Sequence, residues 1–203
     1  TGASPGQPYA ELCTTDIRFP TIRCSDGTDV KLTPGAYASL LQANPVQADR
    51  AEAARQHLAT YAANEATYAA LYKGVLERDW FLARACRFDT TLDAALHADA
   101  VPRAVVENLI AATRAGNAPL QRYLRLRKRM LKLDEYHTYD NMQPLLRTER
   151  RYPYAESRDI VTASIAPLGS GYGERFRRFV GGGRIDVYES EGKTSGAYSA
   201  GVY

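Results

Sequence analysis

Cysteine is scarce in this 203-residue chain: Cys13, Cys24 and Cys86 are the whole supply. Three thiols cannot complete a disulfide framework, so they read as reduced cysteines of a cytoplasmic protein, with a Cys13–Cys24 pair left open. Long apolar runs are missing too. Nothing approaches the ~20 residues of a membrane span, and no apolar core of an export signal lies near Thr1. Histidine is thin: His57, His97 and His137 stand 40 residues apart. None has a second His or Cys at ligand spacing, and there is no HExxH and no CxxC, so the sequence spells out no zinc site. Gly169-Ser170-Gly171 lacks the five-residue pattern of a nucleophile elbow. Gly181-Gly182-Gly183 lacks the preceding strand and the following GK[ST] of a phosphate loop, and reads as a helix-ending hinge. Charge of one sign is not in excess either. The balance is 26 bases against 23 acids, a net +3, too small to demand a nucleic acid.

What remains is ordinary globular material, 45% apolar and 24% charged, in one domain's length. The chain starts at Thr1 rather than Met, which suggests a processed product or a piece. Gly and Pro predict a loop over residues 1–8. Ile17, Phe19 and Ile22, the turn signal Ser25-Asp26-Gly27-Thr28, then Val30 and Leu32 predict a hairpin over 17–32. The apolar period then lengthens. Thr33-Pro34 is a helix start, with Tyr37, Leu40 and Leu41 on one face. Asn44-Pro45 opens a helix to about Tyr61, and Tyr68, Leu71, Tyr72, Val75 and Leu76 stripe another to about Arg87. Residues 89–100 read as a short loop or helical turn. Asp99 and Pro102 start a helix bearing Val105, Val106, Leu109 and Ile110 on one face, ended by Gly116. Asn117 and Pro119 start the next, with Leu120, Tyr123, Leu124 and Leu131 turned inward. Residues 134–152 read as loop, 154–166 and 170–180 as helices, and 184–203 as extended. The expected fold is mainly α: one helical region over 1–203, a multi-helix body at 33–180, a β-hairpin near the N-terminus and a small β segment at the C-terminus.

One stretch carries charge. Residues 120–132 hold Arg122, Arg125, Arg127, Lys128, Arg129 and Lys132, six bases and no acid. This suits an acidic partner. It equally suits a solvated helix face, since cations are favoured near a helix C-terminus. Tyrosine is abundant, 14 residues against 5 Phe. Its polar tip serves a core or a peptide-binding groove. Asp89, Asp93 and Asp99 gather near His97, but their spacing fits no calcium loop.

A set of short motifs points further. Glu11-Leu12 followed by Asp16-Ile17-Arg18-Phe19, and a hairpin ending Val30-Lys31-Leu32-Thr33, resembles the middle of the oligoendopeptidase F family, zinc metallopeptidases related to thimet oligopeptidase. Leu92-Asp93-Ala94-Ala95-Leu96 before Val101-Pro102 and Asn108-Leu109-Ile110 is similar to the same family. So are Arg122-Tyr123 through Leu126-Arg127-Lys128 to Leu131, and Tyr139-Asp140 before Pro144-Leu145. The most specific piece is Ile185-Asp186-Val187-Tyr188-Glu189, then Gly192-Lys193 and Ser195-Gly196-Ala197-Tyr198-Ser199.

The resemblance implies hydrolysis of internal bonds of short peptides. The family binds zinc on a helix bearing HExxH plus a later glutamate, and the glutamate between the histidines activates water. That helix follows the segment resembled by the end of this chain. The chain therefore resembles an internal fragment, inactive alone, with zinc in the full-length parent and none expected here. Residues 184–203 would begin the active-site sheet. A peptide could add to the 195–203 strand through backbone hydrogen bonds. This makes Gly196, Ala197, Tyr198, Ser199 and Tyr203 the candidate substrate-binding residues, unless that strand only supports the true edge. Short peptides and the C-terminal zinc-binding part are the expected partners, with neither nucleic acid nor membrane. The rival reading is a non-enzymatic helical binding module using the basic helix 120–132.

Overall fold

The computed structural model describes residues 6–146 and 150–188, which group into two compact units meeting in sequence between Leu145 and Leu146. Each is mostly helical. The first unit opens with α1 (Gly6–Glu11), which runs into a π-helical turn at Leu12–Asp16 closed by Ile17 N–H donating to the Leu12 carbonyl at 3.0 Å. The loop expected at 1–8 thus gives way to helix from Gly6. Pro8 sits in the first turn, where a missing N–H would have had no partner in any case.

The hairpin is present and shorter than expected. β1 (Thr21–Arg23) pairs antiparallel with β2 (Asp29–Lys31), Ile22 opposite Val30. Ile17 and Phe19 stay outside the ladder because Pro20 cannot donate. Its carbonyl still accepts from Leu32 N–H at 2.8 Å. The turn falls where the sequence marks it. Gly27 N–H donates to the Cys24 carbonyl at 2.9 Å, Cys24 N–H donates to the Thr28 carbonyl at 2.8 Å, and Gly27 takes φ 86°. A residue in that left-handed conformation closes a three-residue hairpin loop, and glycine does so without strain. The Asp26 carboxylate accepts from Thr28 N–H at 2.8 Å.

α2 (Pro34–Ala43) starts as the sequence predicts, with Thr33 Oγ1 accepting from Ala36 N–H at 3.2 Å. α3 (Gln47–Ala62) follows the Asn44 turn, where Asn44 Oδ1 accepts from Val46 N–H at 2.8 Å. Leu32, Ile22, Cys24, Leu40, Leu41 and Ala53 form one buried cluster, so the inner face of the hairpin lies on α2 and α3. α4 (Glu65–Ala85) is the longest helix, and α5 (Thr91–His97) is a real helix rather than a bare loop, capped by Thr90 Oγ1 accepting from Asp93 N–H at 3.1 Å.

α6 (Arg103–Ala115) and α7 (Ala118–Met130) begin and end near the expected signals. Their apolar stripes are covered only in part: Val106 of α6 and Leu124 and Leu131, expected inward on α7, are half-buried, and others stay open. Val105 is 53% exposed, Leu109 65% and Leu120 54%. Periodicity fixes that a helix has an apolar face; it does not supply a cover, and no described residue covers these.

The loop after α7 is bound by charge as well as by apolar contact, with Tyr139 packed against the hydrophobic cluster. Arg50 of α3 and Asp140 are 1% and 0% exposed, with Arg50 Nη2 2.6 Å from Asp140 Oδ1. Asp140 Oδ2 also accepts from Gln47 Nε2 and from His137 N–H, each at 2.9 Å. Arg50 Nη1 donates to the Asn44 carbonyl at 2.9 Å, and Gln143 Nε2 donates to the same carbonyl at 3.0 Å.

The second unit is a helix pair. α8 (Tyr154–Ser164) stops before Pro167, which disfavours helical backbone in the residue ahead of it. A 3-10 turn at Ala166–Leu168 and Gly169 at φ 90° lead into α9 (Ser170–Gly181). Residues 184–187 have irregular backbone despite the alternation at Ile185 and Val187, and the rest of the β segment expected over 184–203 lies outside the described residues beyond Tyr188.

Asp140→Ala leaves the Arg50 charge buried without a counter-ion. It is expected to cost about 3–5 kcal/mol of stability, read as a lower urea midpoint. A change under ~1 kcal/mol would show that the pair is dispensable.

Candidate functional site

The candidate substrate residues Gly196, Ala197, Tyr198, Ser199 and Tyr203 lie outside the described residues. The other candidate, the basic helix, is α7, and the structure divides its bases into two kinds. Arg127 is buried and structural. Its Nε donates to Tyr136 Oη at 2.8 Å, Nη1 to Tyr123 Oη at 3.2 Å, and Nη2 to the carbonyls of Asp140, Asn141 and Gln143 at 3.2, 3.0 and 2.6 Å. Burial pulls the Arg127 pKa down, and the two tyrosine hydroxyls more than offset it, so it is held above its ordinary value. The five others, Arg122, Arg125, Lys128, Arg129 and Lys132, reach solvent.

The histidines do not meet. His57 is buried in an aromatic sandwich, its ring 4.1 Å from Tyr37 and 5.5 Å from Phe19, both nearly parallel, with Tyr61 edge-on at 5.2 Å. Nδ1 lies 3.1 Å from the Leu32 carbonyl, which fixes the Nδ1–H tautomer. His97 packs on Phe88 at 5.0 Å, and His137 stacks on Tyr139 at 4.9 Å with Glu135 3.4 Å from its Nε2. Among the described residues no three His, Cys, Asp or Glu side chains gather as a metal-binding set. These residues do not fit a zinc ion. No described helix is long and apolar enough to cross a membrane.

Two features carry no sequence signal. One is a tyrosine cluster: Tyr9 meets Tyr68 edge-on at 6.1 Å, Tyr61 lies 6.1 Å from Tyr68, and Cys13 Sγ is 3.6 Å from Tyr68 Oη. Burial first, then the Cys13 contact, pushes the Tyr68 phenol pKa up. Cys13 is thus taken up by tyrosine, and Cys13, Cys24 and Cys86 are all free thiols. The other is a groove of about 710 Å³ along α8 and α9, lined by Arg158, Thr162, Ala163, Gly173 and Arg177 among others. Small residues open it, and its Arg158 is paired at 3.0 Å with Asp159, a further lining residue, so the lining is of mixed charge.

Burial holds the His57 pKa below its ordinary value, with the Leu32 carbonyl opposing in part. The unfolded chain then takes the proton more readily than the folded one. His57 contributes stability fully above about pH 6.5, and that contribution is lost as pH falls below it and through the folded pKa. His57→Phe keeps a ring in the stack and removes the titration. Urea midpoints measured from about pH 7 to about pH 5 are expected to fall more steeply for the wild type than for the variant. Parallel slopes would exclude His57 as a source of acid sensitivity.

Comparison with known proteins gives the chain its place. Over 98% of its length it is 32% identical to oligopeptidase PepF of Bacillus subtilis, and also 32% identical to group B oligopeptidase PepB of Streptococcus agalactiae. It covers 30% and 33% of those two proteins, so the chain spans about a third of the length of the curated relatives it matches. The crystal structure of oligoendopeptidase-F from Enterococcus faecium superposes with a TM-score of 0.66 at 25% identity, covering 85% of this chain and 32% of that one. The model of peptidase family M3 matches residues 40–203. On that match, and on the order of motifs along it, the chain belongs to peptidase family M3.

Proposed function

We propose that this chain is a segment of a zinc oligopeptidase that hydrolyses internal bonds of short peptides, and that residues beyond these 203 carry the zinc and the glutamate that activates water. One observation carries the reading. Relatives named as oligopeptidases match 98% of the chain, yet its 203 residues contain no HExxH. The segment then serves as scaffold. Its helices help to wall the cleft that limits substrate length, and the 195–203 stretch, with Gly196, Ala197, Tyr198, Ser199 and Tyr203, meets the peptide backbone. Its partner is the zinc-binding part of the same enzyme, and its compartment is the cytoplasm. Zinc in that part supplies Lewis-acid and water-activating chemistry. This segment contributes enclosure and backbone hydrogen bonds.

The rival reading, a non-enzymatic helical module built on 120–132, loses its central base. Arg127 is occupied by three backbone carbonyls and two tyrosines and is not free to meet a partner.

A quenched fluorogenic peptide tests the proposal. The chain alone, supplied with zinc, is expected to give no turnover. A chimera in which it replaces the matching third of oligopeptidase PepF is expected to give turnover that a chelator abolishes. Within that chimera, Tyr198→Ala is expected to lower kcat/KM by about 10-fold, the worth of one substrate hydrogen bond. Chelator-sensitive turnover by the chain alone would overturn the proposal, as would an inactive but folded chimera.

A further inference from the structure

The five solvent-facing bases of α7 form a surface that the scaffold role does not use. At the 100° per residue of an α-helix, Arg122, Arg125, Lys128 and Arg129 fall within about a third of the circumference. Lys132 continues the row just past the helix end. It occupies the left-handed position at φ 53°, where its N–H donates to the Arg129 carbonyl at 3.2 Å and Leu133 N–H donates to the Lys128 carbonyl at 3.1 Å.

None of the five is in an ion pair among the described residues. Elsewhere some arginines are paired, Arg55 with Glu52, Arg78 with Asp79, Arg103 with Glu107, Arg150 with Glu156 and Arg158 with Asp159, while others such as Arg175 and Arg178 of α9 are in no ion pair among the described residues. α7 has no acid at all, not even in its first turn, where the helix dipole would favour one. The dipole accounts for cations in the last turn. It does not account for Arg122, which stands nearer the positive end.

We infer that this face of α7 is a docking surface for acidic peptides. The inference deepens the oligopeptidase reading and rests on it, since it names the class of peptide recruited. Charge complementarity chooses the occupant. The whole chain is +3, from 26 bases and 23 acids. Without these five bases the rest has 21 bases to 23 acids and is net negative. A duplex or an anionic bilayer spreads its charge far beyond one helix and meets that negative remainder. A short peptide meets only the helix. The row from Arg122 to Lys132 is ten residues, about 15 Å at 1.5 Å per residue. An extended peptide rises ~3.3 Å per residue, so about five residues span it. Leu126, 41% exposed, borders the basic arc and offers an apolar ledge beside the charges.

Fluorescence anisotropy with labelled hexaglutamate tests this on the chain as it stands, with no cleavage involved. Hexaglutamate is expected to bind and hexalysine not to. Raising salt from about 50 mM to about 300 mM is expected to weaken binding at least ~10-fold, because the contacts are solvent-exposed charges. The triple variant Arg122→Gln, Arg125→Gln and Arg129→Gln is expected to lose about 10-fold or more with unchanged circular dichroism. Should the triple variant fail to fold, Arg125→Gln alone is expected to lose about 2- to 5-fold. Arg175→Gln with Arg178→Gln on α9 is the control and is expected to change nothing. Binding that ignores salt or survives the α7 variants overturns the inference. So does tighter binding of oligothymidylate or phosphatidylserine vesicles than of hexaglutamate. In the PepF chimera the triple variant is expected to raise KM for an acidic peptide and leave a neutral one unchanged. A chimera inactive on every peptide while hexaglutamate still binds would refute the oligopeptidase reading and leave the surface standing.

Discussion

The first unit depends on an ion pair removed from water. Taking Arg50 and Asp140 out of solvent costs several kcal/mol per ion, and the attraction between them repays this only when the remaining polar atoms are also met. Here they are. Asp140 receives Gln47 and the His137 N–H besides the arginine, and Arg50 also reaches the Asn44 carbonyl. The network spreads outward from there. Gln143 gives its amide to the carbonyls of Leu41 and Asn44 at the end of α2, and Arg127 gathers three carbonyls of the same loop. Among the described residues no buried side-chain polar atom lacks a partner. α2, α3, α7 and the loop at 134–143 are therefore joined through charge and amide groups at one point.

That dependence follows from how little apolar core there is. Leu32 and Ala53 are fully buried, and a few neighbours of similar or smaller size complete the cluster. Large side chains that would ordinarily drive folding, such as Trp80 and Phe81 on α4 and Ile110 on α6, remain in contact with water. Each fully buried side chain of that size is worth about 1.5–3 kcal/mol. The relatives have about two-thirds of their length outside the part this chain matches. Such open faces are what packing against further chain would use.

Local chemistry was legible in the sequence, and long-range chemistry was not. The Thr33 cap, the Ser25-Asp26-Gly27-Thr28 turn and the Gly116 stop are each written within four residues, and each forms as read. The π-turn after α1 had no such mark. Nor did the burial of Arg127: within 120–132 it is one base of six, and only the carbonyls 13 to 16 residues on make it structural. The Arg50–Asp140 pair joins positions 90 apart, beyond any periodic signal. His57 read as a surface or core histidine and is a core one, but Phe19, which covers it, reads as a strand residue. For the candidate site, spacing showed where the bases cluster, while the contacts of Arg127 decided which of them face outward.

Those contacts have a mechanical consequence. A helix held to its body by apolar side chains can roll a few degrees about its axis at little cost, because dispersion is not directional. α7 cannot. The guanidinium of Arg127 is planar and its donors leave in fixed directions, and here they end on three carbonyls and two phenols. Rotating the helix would break the four bonds to the loop together, while Tyr123 rides on α7 itself. The azimuth of the opposite, charged face is thus set before any ligand arrives, so less orientational entropy is lost when one docks. The one arginine withdrawn from the surface keys the others in place.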